Sequence, residues 1–179
     1  MPRHLKKISE EVLHENPWWT YKHDIFEKSN GKQGDYFYAE SPGMVMIIPV
    51  MKKDDQIVLT LQHRYLMDKQ SIEFPSGGIR PGQQALDAAK AELHEETGWV
   101  AQEWIKVGEF EGSNGFVKDR GHVFIAYVTE QHKQNLDDTE DIEVMYRRPD
   151  EVDDMIRKNE IWDGQTMAAW ALVHHYFLH

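Results

Sequence analysis

One short segment of this chain leaves few choices of local structure: a glycine-rich turn that leads directly into a short acidic helix. The turn runs from Gly77 to Gln83, and an alanine-rich segment follows it. Alanine is the strongest helix former, and a glycine such as Gly98 is the residue that most often ends a helix. The segment therefore predicts a tight turn joined to a helix over Ala85–Thr97.

Three glutamates of this helix are predicted to share one face. Glu92, Glu95 and Glu96 are spaced i, i+3, i+4, which places them within an arc of roughly 100°. Carboxylate oxygens that converge in this way suit Mg²⁺ or Mn²⁺, although a solvated acidic helix face has the same pattern. An apolar stripe beside the glutamates, which would dock the helix and leave the carboxylates facing a cleft, is predicted at Leu86, Ala89 and Leu93.

The register of these glycines and glutamates resembles the signature of the Nudix hydrolases. Gly77 opens the pattern, Glu92-Leu93-His94-Glu95-Glu96 fills its acidic core, and Gly98-Trp99 closes it. Gln83 and Ala91 depart from it, because the family has Glu and Arg at these two positions. The resemblance implies an α/β fold, the Nudix-type α/β/α sandwich with a mixed β-sheet.

The resemblance also implies a chemistry, the hydrolysis of a diphosphate that is joined to another group. Divalent ions, Mg²⁺ or Mn²⁺, would neutralise the diphosphate while water attacks phosphorus. Glu95 would be a third metal ligand or a group that positions water, and Gly77 and Gly78 would lie against the substrate, unless the glycines form an ordinary loop. The metal would be held by the backbone carbonyl of Ser76 and the carboxylates of Glu92, Glu95 and Glu96.

Beyond this box, residues 77–99, the chain is most similar to the ADP-ribose pyrophosphatase branch. By that similarity Arg64 would bind substrate phosphates, for which its planar fork is suited, and Glu73 would join it in binding substrate. Glu140 would activate water, although a lone residue in an acidic loop is more often solvated charge. The similarity is carried by Gln62-His63-Arg64-Tyr65, Glu73-Phe74-Pro75-Ser76-Gly77, Asp138-Thr139-Glu140-Asp141-Ile142 and Ile161-Trp162-Asp163-Gly164-Gln165-Thr166.

One departure concerns the substrate. The branch often has Pro-Gly in the loop after the strand that follows the box, where this chain has Asn114-Gly115. This departure weakens the case for ADP-ribose in particular and leaves the broader class of nucleoside diphosphate sugars, within which ADP-ribose is still the first substrate to test. The expected products are a nucleoside monophosphate and a sugar phosphate.

The N-terminal region predicts a β-hairpin arm, residues 1–43, attached to a Nudix domain, residues 44–179. After a polar lead-in, Trp18–Phe26 is typical of a strand, Asn30-Gly31 marks a hairpin turn within residues 29–32, and Asp35–Glu40 returns. The arm is rich in aromatic residues, and the branch is dimeric through this region, so a homodimer is expected. Trp18, Trp19, Tyr36 and Tyr38 could stack on a base, but aromatic residues in a hairpin are more often core or interface.

The remaining elements follow from hydrophobic runs and from start signals. Met44–Met51 is typical of a strand buried on both faces, and Pro149 and Asp163 suit the start of two closing helices, to about Lys158 and Phe177. Further strands are predicted at Gln56–Arg64, Ser71–Phe74, Ile105–Glu111, His122–Val128 and Ile142–Arg147, with a loop from Gly112 to Gly121.

Composition narrows the class of protein. The chain has 179 residues with a formal net charge of −11, so non-specific binding to nucleic acid or to anionic membranes is not expected. The lack of cysteine excludes disulfides, thiolate nucleophiles and cysteine-based zinc sites. The N-terminus has no apolar signal segment, and the cytoplasm is the expected compartment. Among the histidines, His174, His175 and His179 form no metal-ligand pattern.

Two other functions stay open for this sequence. The missing Glu at position 83 and Arg at position 91 are compatible with a non-catalytic nucleotide-binding or regulatory module on the same fold. The survival of Glu92, Glu95 and Glu96 argues against that loss of function. An isomerase of prenyl diphosphates is a third possibility, and the absence of cysteine counts against its cysteine-dependent variants.

Overall fold

The computed structural model describes residues 4–178, so His179 and the first three residues lie outside the description. Within that range the chain forms eleven strands and three α-helices, with 3₁₀ turns at Tyr65–Met67 and His174–Tyr176. The strands are β1 Lys6–Glu15, β2 Thr20–Glu27, β3 Gln33–Glu40, β4 Met44–Met51, β5 Gln56–Arg64, β6 Lys69–Glu73, β7 Ser76–Gly78, β8 Trp99–Glu111, β9 Val117–Lys118, β10 Arg120–Gln131 and β11 Ile142–Arg147. The helices are α1 Ala85–Thr97, α2 Pro149–Arg157 and α3 Gly164–Val173.

The central sheet is mixed and lies between helices, which confirms the predicted α/β/α sandwich. Its strand order is β11-β5-β4-β10-β8, with β4 parallel to β10 and its other pairs antiparallel. Successive side chains of β4 point to opposite faces of the sheet and pack into two cores. Val45 and Ile47 belong to the cluster under α1, and Met46 and Ile48 belong to the cluster under α2 and α3. Strand β4 is therefore buried on both faces, as its apolar run predicts.

A gap in this sheet positions the box. Strand β4 pairs with β5 only at Val50 and Met51, and at Met44–Met46 its partner is the short strand β7. The chain enters the gap after β6, and the N–H of Ile47 donates to the carbonyl of Pro75 at 2.9 Å. The start of the box is thus fixed to the central strand by backbone hydrogen bonds, which hold it rigidly beneath α1.

The N-terminal arm is a four-stranded sheet of order β1-β2-β3-β9, larger than the predicted hairpin. The polar lead-in is strand β1, which pairs with β2 along its length although all ten of its residues are exposed. The predicted turn between β2 and β3 is confirmed, with Gly31 at a φ of +78°. The fourth strand, Val117–Lys118, comes from the predicted loop 112–121 and pairs with β3, so the arm and the rest of the chain share a sheet.

Several predicted bounds were wrong at the ends of elements. Strand β2 begins at Thr20, after Trp18 and Trp19, and β8 begins at Trp99, directly after the box. Residues 101–103, Ala-Gln-Glu, have low strand propensity and gave no strand signal. Backbone pairing with β10 nevertheless holds them in the sheet. Helix α3 begins after the Asp163 cap as predicted but ends at Val173, with a 3₁₀ turn beyond it. Within residues 4–178, the helices are all too short or too polar to cross a membrane.

Candidate active site

Helix α1 has the predicted bounds, and its two ends show why. The turn before it is closed by Gln83, whose N–H donates to the carbonyl of Arg80 at 2.9 Å and whose side-chain oxygen accepts from the N–H of Arg80 at 3.0 Å. Gly98 ends the helix at a φ of +73°, and its N–H donates to the carbonyl of His94. A Cβ at position 98 would also clash with the carbonyl of His132. This position therefore requires glycine for two reasons, its positive φ and this close contact.

The buried face of α1 is rotated from the predicted stripe. Ala88, Ala89 and Leu93 are buried against the sheet, whereas Leu86 is 36% exposed, so its predicted place in the stripe was wrong. The small side chains of the two alanines bring the helix close to the strands. This rotation places Glu96 on the side of the helix that faces the sheet, where it is buried.

Glu96 is therefore a buried carboxyl group, only 4% exposed, and the expectation that all three glutamates face an open cleft was wrong for it. One of its carboxylate oxygens accepts a hydrogen bond from the N–H of Ser76 at 3.0 Å. Burial raises the pKa of Glu96 well above its ordinary value, and the nearby charges of Glu92 and Glu140 raise it further. The Ser76 hydrogen bond and Arg64 oppose this rise without cancelling it.

Glu92, one helical turn earlier, lies directly against Gly77, the first glycine of the box. A Cβ at Gly77 would clash with the Glu92 carboxylate, whereas a Cβ at Gly78 would meet nothing within 4 Å. Burial raises the pKa of Glu92 to about 7, with further raising by Glu95 and Glu140. Gly77 therefore allows a close approach of backbone to carboxylate, which an ordinary loop would not need.

These carboxylates fit a hard divalent cation by their chemistry. In residues 4–178, no group of three acidic or histidine side chains is arranged as a ready-made metal cluster. Glu92 and Glu96 nevertheless place oxygen donors one turn apart, and the charge of Glu92 makes the ionised form of Glu96 less favourable. A bound cation reverses that penalty, because it stabilises the ionised carboxylates that the protein alone destabilises. Glu95, the third predicted ligand, is half-buried on the same helix.

Arg64 and Glu73 form a two-pronged ion pair beside these glutamates. The Arg64 Nε donates to one Glu73 oxygen at 2.8 Å, and a terminal nitrogen donates to the other oxygen. Glu73 is 2% exposed, while the Arg64 side chain is about half exposed. The pKa of Arg64 is raised, mainly by this pairing and also by Asp163 and Glu96. Arg64 is thus held by the buried Glu73 and also lies close enough to Glu96 to feel its charge.

The last sequence motif, Ile161–Thr166, is hydrogen-bonded to strand β6 and to Phe74, the segment that leads into the box. The Asp163 side chain accepts from the N–H of Thr166 at 2.6 Å and caps α3, while the hydroxyl of Thr166 accepts from the N–H of Phe74 at 3.3 Å. The indole N–H of Trp162 donates to the carbonyl of Gln70 at 3.0 Å. This motif is therefore structural support for Glu73 and Arg64.

Glu140 lies in an exposed turn that faces the same glutamates. Its carboxylate accepts from the N–H of Asp137 at 3.1 Å, and its own N–H donates to the carbonyl of Asp137 at 2.9 Å. The charge of Glu140 raises the pKa of both Glu92 and Glu96. The predicted site residues are thus brought to one region, from three separate parts of the chain.

Sequence reasoning missed two contributors to this region. Arg80 and Asp137 both act on the pKa of Glu92, Arg80 lowering it and Asp137 raising it. Arg80 lies inside the box, so its proximity to the glutamates could have been noticed. Asp137 carried no signal, because its position depends on how the acidic loop turns.

A cavity of about 480 Å³ opens between the arm sheet and the loop after β8. Tyr36, Tyr38 and Phe116 provide aromatic surface, and Lys7 and Lys118 provide positive charge. The hydroxyl of Tyr36 donates to the carbonyl of Gly115 at 2.7 Å, which links arm and loop. Of the four aromatic residues considered for base stacking, Tyr36 and Tyr38 line this cavity, whereas Trp18 is 75% exposed.

Comparison with known proteins agrees with this geometry. The sequence pattern described as the NUDIX domain matches residues 41–170. The chain belongs to the Nudix family. An ADP-ribose pyrophosphatase of Bacillus subtilis (strain 168) is 30% identical over 151 residues, which cover 83% of this chain and 80% of the relative. A methanol dehydrogenase activator of Bacillus methanolicus is 27% identical over 148 residues, covering 82% of this chain and 80% of that protein.

The fold is shared with a solved structure as well. The crystal structure of an ADP compounds hydrolase superimposes with a TM-score of 0.83 at 19% identity, covering 97% of this chain and 94% of the other. The protein is thus a Nudix hydrolase related to the ADP-ribose pyrophosphatases. Nudix hydrolases generally use divalent metal ions and act on small nucleotide substrates.

Proposed function

We propose that this Nudix hydrolase is a Mg²⁺- or Mn²⁺-dependent pyrophosphohydrolase of nucleoside diphosphate sugars, with ADP-ribose as the first candidate. The products are a nucleoside monophosphate and a sugar phosphate. One observation supports the proposal most strongly: two carboxyl groups with raised pKa values, Glu92 and Glu96, lie one turn apart beside Gly77, where a Cβ would displace the Glu92 carboxylate. Strongly perturbed groups of this kind cluster at functional sites.

The metal would be held by the carboxylates of Glu92, Glu95 and Glu96 and by the carbonyl of Ser76. A divalent ion bound there would supply positive charge to the diphosphate, in a protein whose formal net charge is −11. Glu96 would be oriented for this task by its hydrogen bond from the N–H of Ser76. Gly77 would keep the diphosphate close to the box, and exposed Gly78 would let substrate pass over it without a side chain in the way.

Arg64 would bind the phosphates with the donors that Glu73 leaves free. The guanidinium has five N–H donors, and Glu73 occupies two nitrogens of the fork. Because Glu73 is buried, we assign it to holding Arg64 in place, and its contribution to substrate binding is indirect. A fork that is fixed before substrate arrives loses little side-chain entropy on binding phosphate.

Glu140 would act as the general base, with Glu95 as the alternative. Water would attack one phosphorus of the diphosphate, its proton would pass to the carboxylate, and the bond from that phosphorus to the bridging oxygen would break. The turn that holds Glu140 brings its charge near Glu92 and Glu96. A base at this place could take the proton from water beside the bound ion.

The nucleoside would be taken by the cavity at the arm. Gly78, Met44, Gly121 and Phe110 are successive partners across neighbouring strands, so Phe110 lies three strand spacings, about 14 Å, from the box. The next residue, Glu111, lines the cavity with Tyr36 and Tyr38. An extended nucleoside diphosphate has a length of this order, so the base could stack on the tyrosines while the diphosphate reaches the glutamates.

The test is a panel of nucleoside diphosphate sugars and dinucleotides with Mg²⁺ or Mn²⁺, following release of nucleoside monophosphate. We expect hydrolysis of ADP-ribose or a related sugar nucleotide that stops when EDTA is added. Binding without hydrolysis across the panel would favour the alternative, a degenerate nucleotide-binding module. Gln83 and Ala91 motivate that alternative, but the Gln83 side chain serves the turn before α1.

We also propose that the protein is a homodimer formed through the arm and that it acts in the cytoplasm. The arm exposes large apolar side chains, among them Ile8, Val12, Trp18 and Phe37, the last at 47% exposure. Exposed patches of this kind usually mark interfaces. The mass measured by light scattering at micromolar concentration should be twice that of the chain, and a monomeric mass would rule the dimer out.

A further inference from the structure

The loop between β10 and β11 is bonded to the C-terminal end of α1. The last carbonyls of a helix have no partner within it, and here the loop supplies donors. The N–H of His132 donates to the carbonyl of Gly98 at 2.8 Å, and the N–H of Asn135 donates to the carbonyl of Glu95 at 3.0 Å. The first part of the loop, residues 132–135, is therefore fixed to the helix that carries the glutamates.

Gln134 adds side-chain hydrogen bonds from the loop to both α1 and β11, and among the described residues no other side chain of the loop makes such a link. Its amide nitrogen donates to the carbonyl of Glu96 at 2.6 Å and to the carbonyl of Ile142 at 3.0 Å. Both N–H groups of the amide are thus used. One side chain joins the end of α1 to the first residue of β11, and so holds both ends of the loop together.

The turn that carries Glu140 lies between these two ends. Glu140 is two residues before Ile142, and its carboxylate closes the turn on the N–H of Asp137. This turn faces the glutamates, because the charges of Asp137 and Glu140 both raise the pKa of Glu92. The residues of the turn are exposed, so the core does not hold them in position.

We propose that Gln134 is a positioning residue, which holds the Glu140 turn at a fixed distance from the glutamates of α1. The inference rests on the proposed function, in which Glu140 takes a proton from the attacking water. Cutting the Gln134 bond would let the two ends of the loop separate and would move the carboxylate relative to Glu96. A displacement of about 1 Å at a reacting group is enough to slow a reaction by up to about 100-fold.

The experiment replaces two glutamines in turn, one that bonds the loop to α1 and β11 and one that does not involve the loop. Gln134→Met keeps the length of the side chain but removes its donors. The matched control is Gln131→Met, because the Gln131 amide also links α1 to β11, at the carbonyl of Thr97 (3.3 Å) and the hydroxyl of Tyr146 (3.1 Å), without touching the loop. We expect kcat to fall about 10- to 100-fold in Gln134→Met, with KM and the metal midpoint little changed, and near wild-type kcat in Gln131→Met.

A second comparison asks whether Gln134 acts through Glu140. In a Glu140→Gln background, Gln134→Met should have little further effect on kcat, because the positioned group is already lost. Full additivity of the two changes, or wild-type kcat in Gln134→Met alone, would overturn the proposal.

Hydrogen exchange separates this proposal from the proposed function. Amide exchange at residues 136–141 should be faster in Gln134→Met than in wild type and unchanged in Gln131→Met. Unchanged exchange in Gln134→Met would overturn the positioning role even if the enzyme is active. Faster exchange in Gln134→Met, together with a wild type that hydrolyses no substrate, would instead contradict the proposed function and leave the positioning role of Gln134 intact.

Discussion

Two acidic regions of this protein differ in whether their carboxylates are paired with cationic side chains. The arm has a paired network, in which Lys7 contacts Asp24 at 2.8 Å and Glu10 at 2.5 Å. Lys22 continues this network to Glu10 and Glu40. On α1, neither Glu92 nor Glu96 takes part in an ion pair with a residue of the 4–178 range.

The pKa values follow this difference. The lysines lower the pKa of Glu10 to about 2, whereas burial raises the pKa of Glu92 to about 7. Paired surface charges contribute little and need no further explanation. Buried carboxyl groups without a cationic partner destabilise the fold, and strongly perturbed groups of this kind cluster at functional sites. The comparison therefore separates acidic residues that belong to the scaffold from acidic residues that belong to the site.

The largest expected effect is on turnover. Glu96→Gln and Glu92→Gln each remove a proposed metal ligand. The bound ion would contribute several kcal/mol of transition-state stabilisation, so kcat should fall about 10³-fold or more. Circular dichroism should show a folded protein for both. Glu10→Gln in the arm is the control and should leave kcat unchanged. Near wild-type turnover of both α1 variants at saturating Mg²⁺ would remove the distinction between the two regions.

Two adjacent glycines sharpen the geometry of the site. A Cβ at Gly77 would displace the Glu92 carboxylate, whereas a Cβ at Gly78 would meet nothing within 4 Å. Gly77→Ala should therefore lower kcat/KM about 10- to 100-fold, and Gly78→Ala should stay close to wild type. Steady-state kinetics of both variants decide this, and equal losses would mean that the close approach to Glu92 is unimportant.

Stability of the metal-free protein should depend on pH with opposite sign in the two regions. The pKa of Glu92 rises from 4.5 to about 7 on folding, so the stability linked to it is lost as pH rises through that interval. Glu92→Gln should remove that loss, about 1–2 kcal/mol after allowance for solvent screening. The pKa of Glu10 falls from 4.5 to about 2, so its contribution is present above pH 4.5 and lost as pH falls toward 2.

Urea unfolding in EDTA at pH 3.5, 5 and 7.5 checks both signs. The quantity compared is the free energy of unfolding of each variant minus that of wild type. For Glu92→Gln this difference should be higher at pH 7.5 than at pH 5, and for Glu10→Gln it should be lower at pH 5 than at pH 3.5. The same trend in both variants would contradict the contrast.

The smallest effect is expected from the two box departures. Gln83→Glu together with Ala91→Arg adds one negative and one positive charge near the glutamates. We expect a lower metal concentration for half-maximal rate, by a few-fold, and a double change that differs from the sum of the single changes. Metal titrations of the four proteins that superimpose would show that both positions are neutral to the site.

Much of the fold was readable from the sequence because local signals agreed with tertiary packing. Helix α1 begins and ends at its predicted residues, since the turn at Gln83 and the glycine at 98 act locally. Strand β1 could not be predicted, because its pairing with β2 depends on backbone bonds and its side chains are all exposed. Strand β9 has only two residues and exists because β3 lies beside it.

The site was predictable in composition but not in arrangement. The spacing of the glutamates gave the face they share, yet the burial of Glu96 depends on how closely the alanines let α1 approach the sheet. The role of Glu73 could not be read either, since Arg64 lies on the neighbouring strand β5 opposite Lys69 and reaches Glu73 diagonally across the strand pair. Gln134 had no sequence signal at all, because its partners are backbone carbonyls.

The most direct test of the central claim is the number of protons that a metal ion displaces. At pH 7 the pKa of Glu92 lies at about 7 and that of Glu96 is well above its usual value, so Mn²⁺ binding should release at least about one proton. Titration calorimetry in two buffers of different ionisation enthalpy measures this number. Release of a proton from wild type, lost when Glu92 and Glu96 are both changed to Gln, is the predicted result. Mn²⁺ binding without proton release, or equal release from both proteins, would contradict the assignment of these two glutamates to the metal.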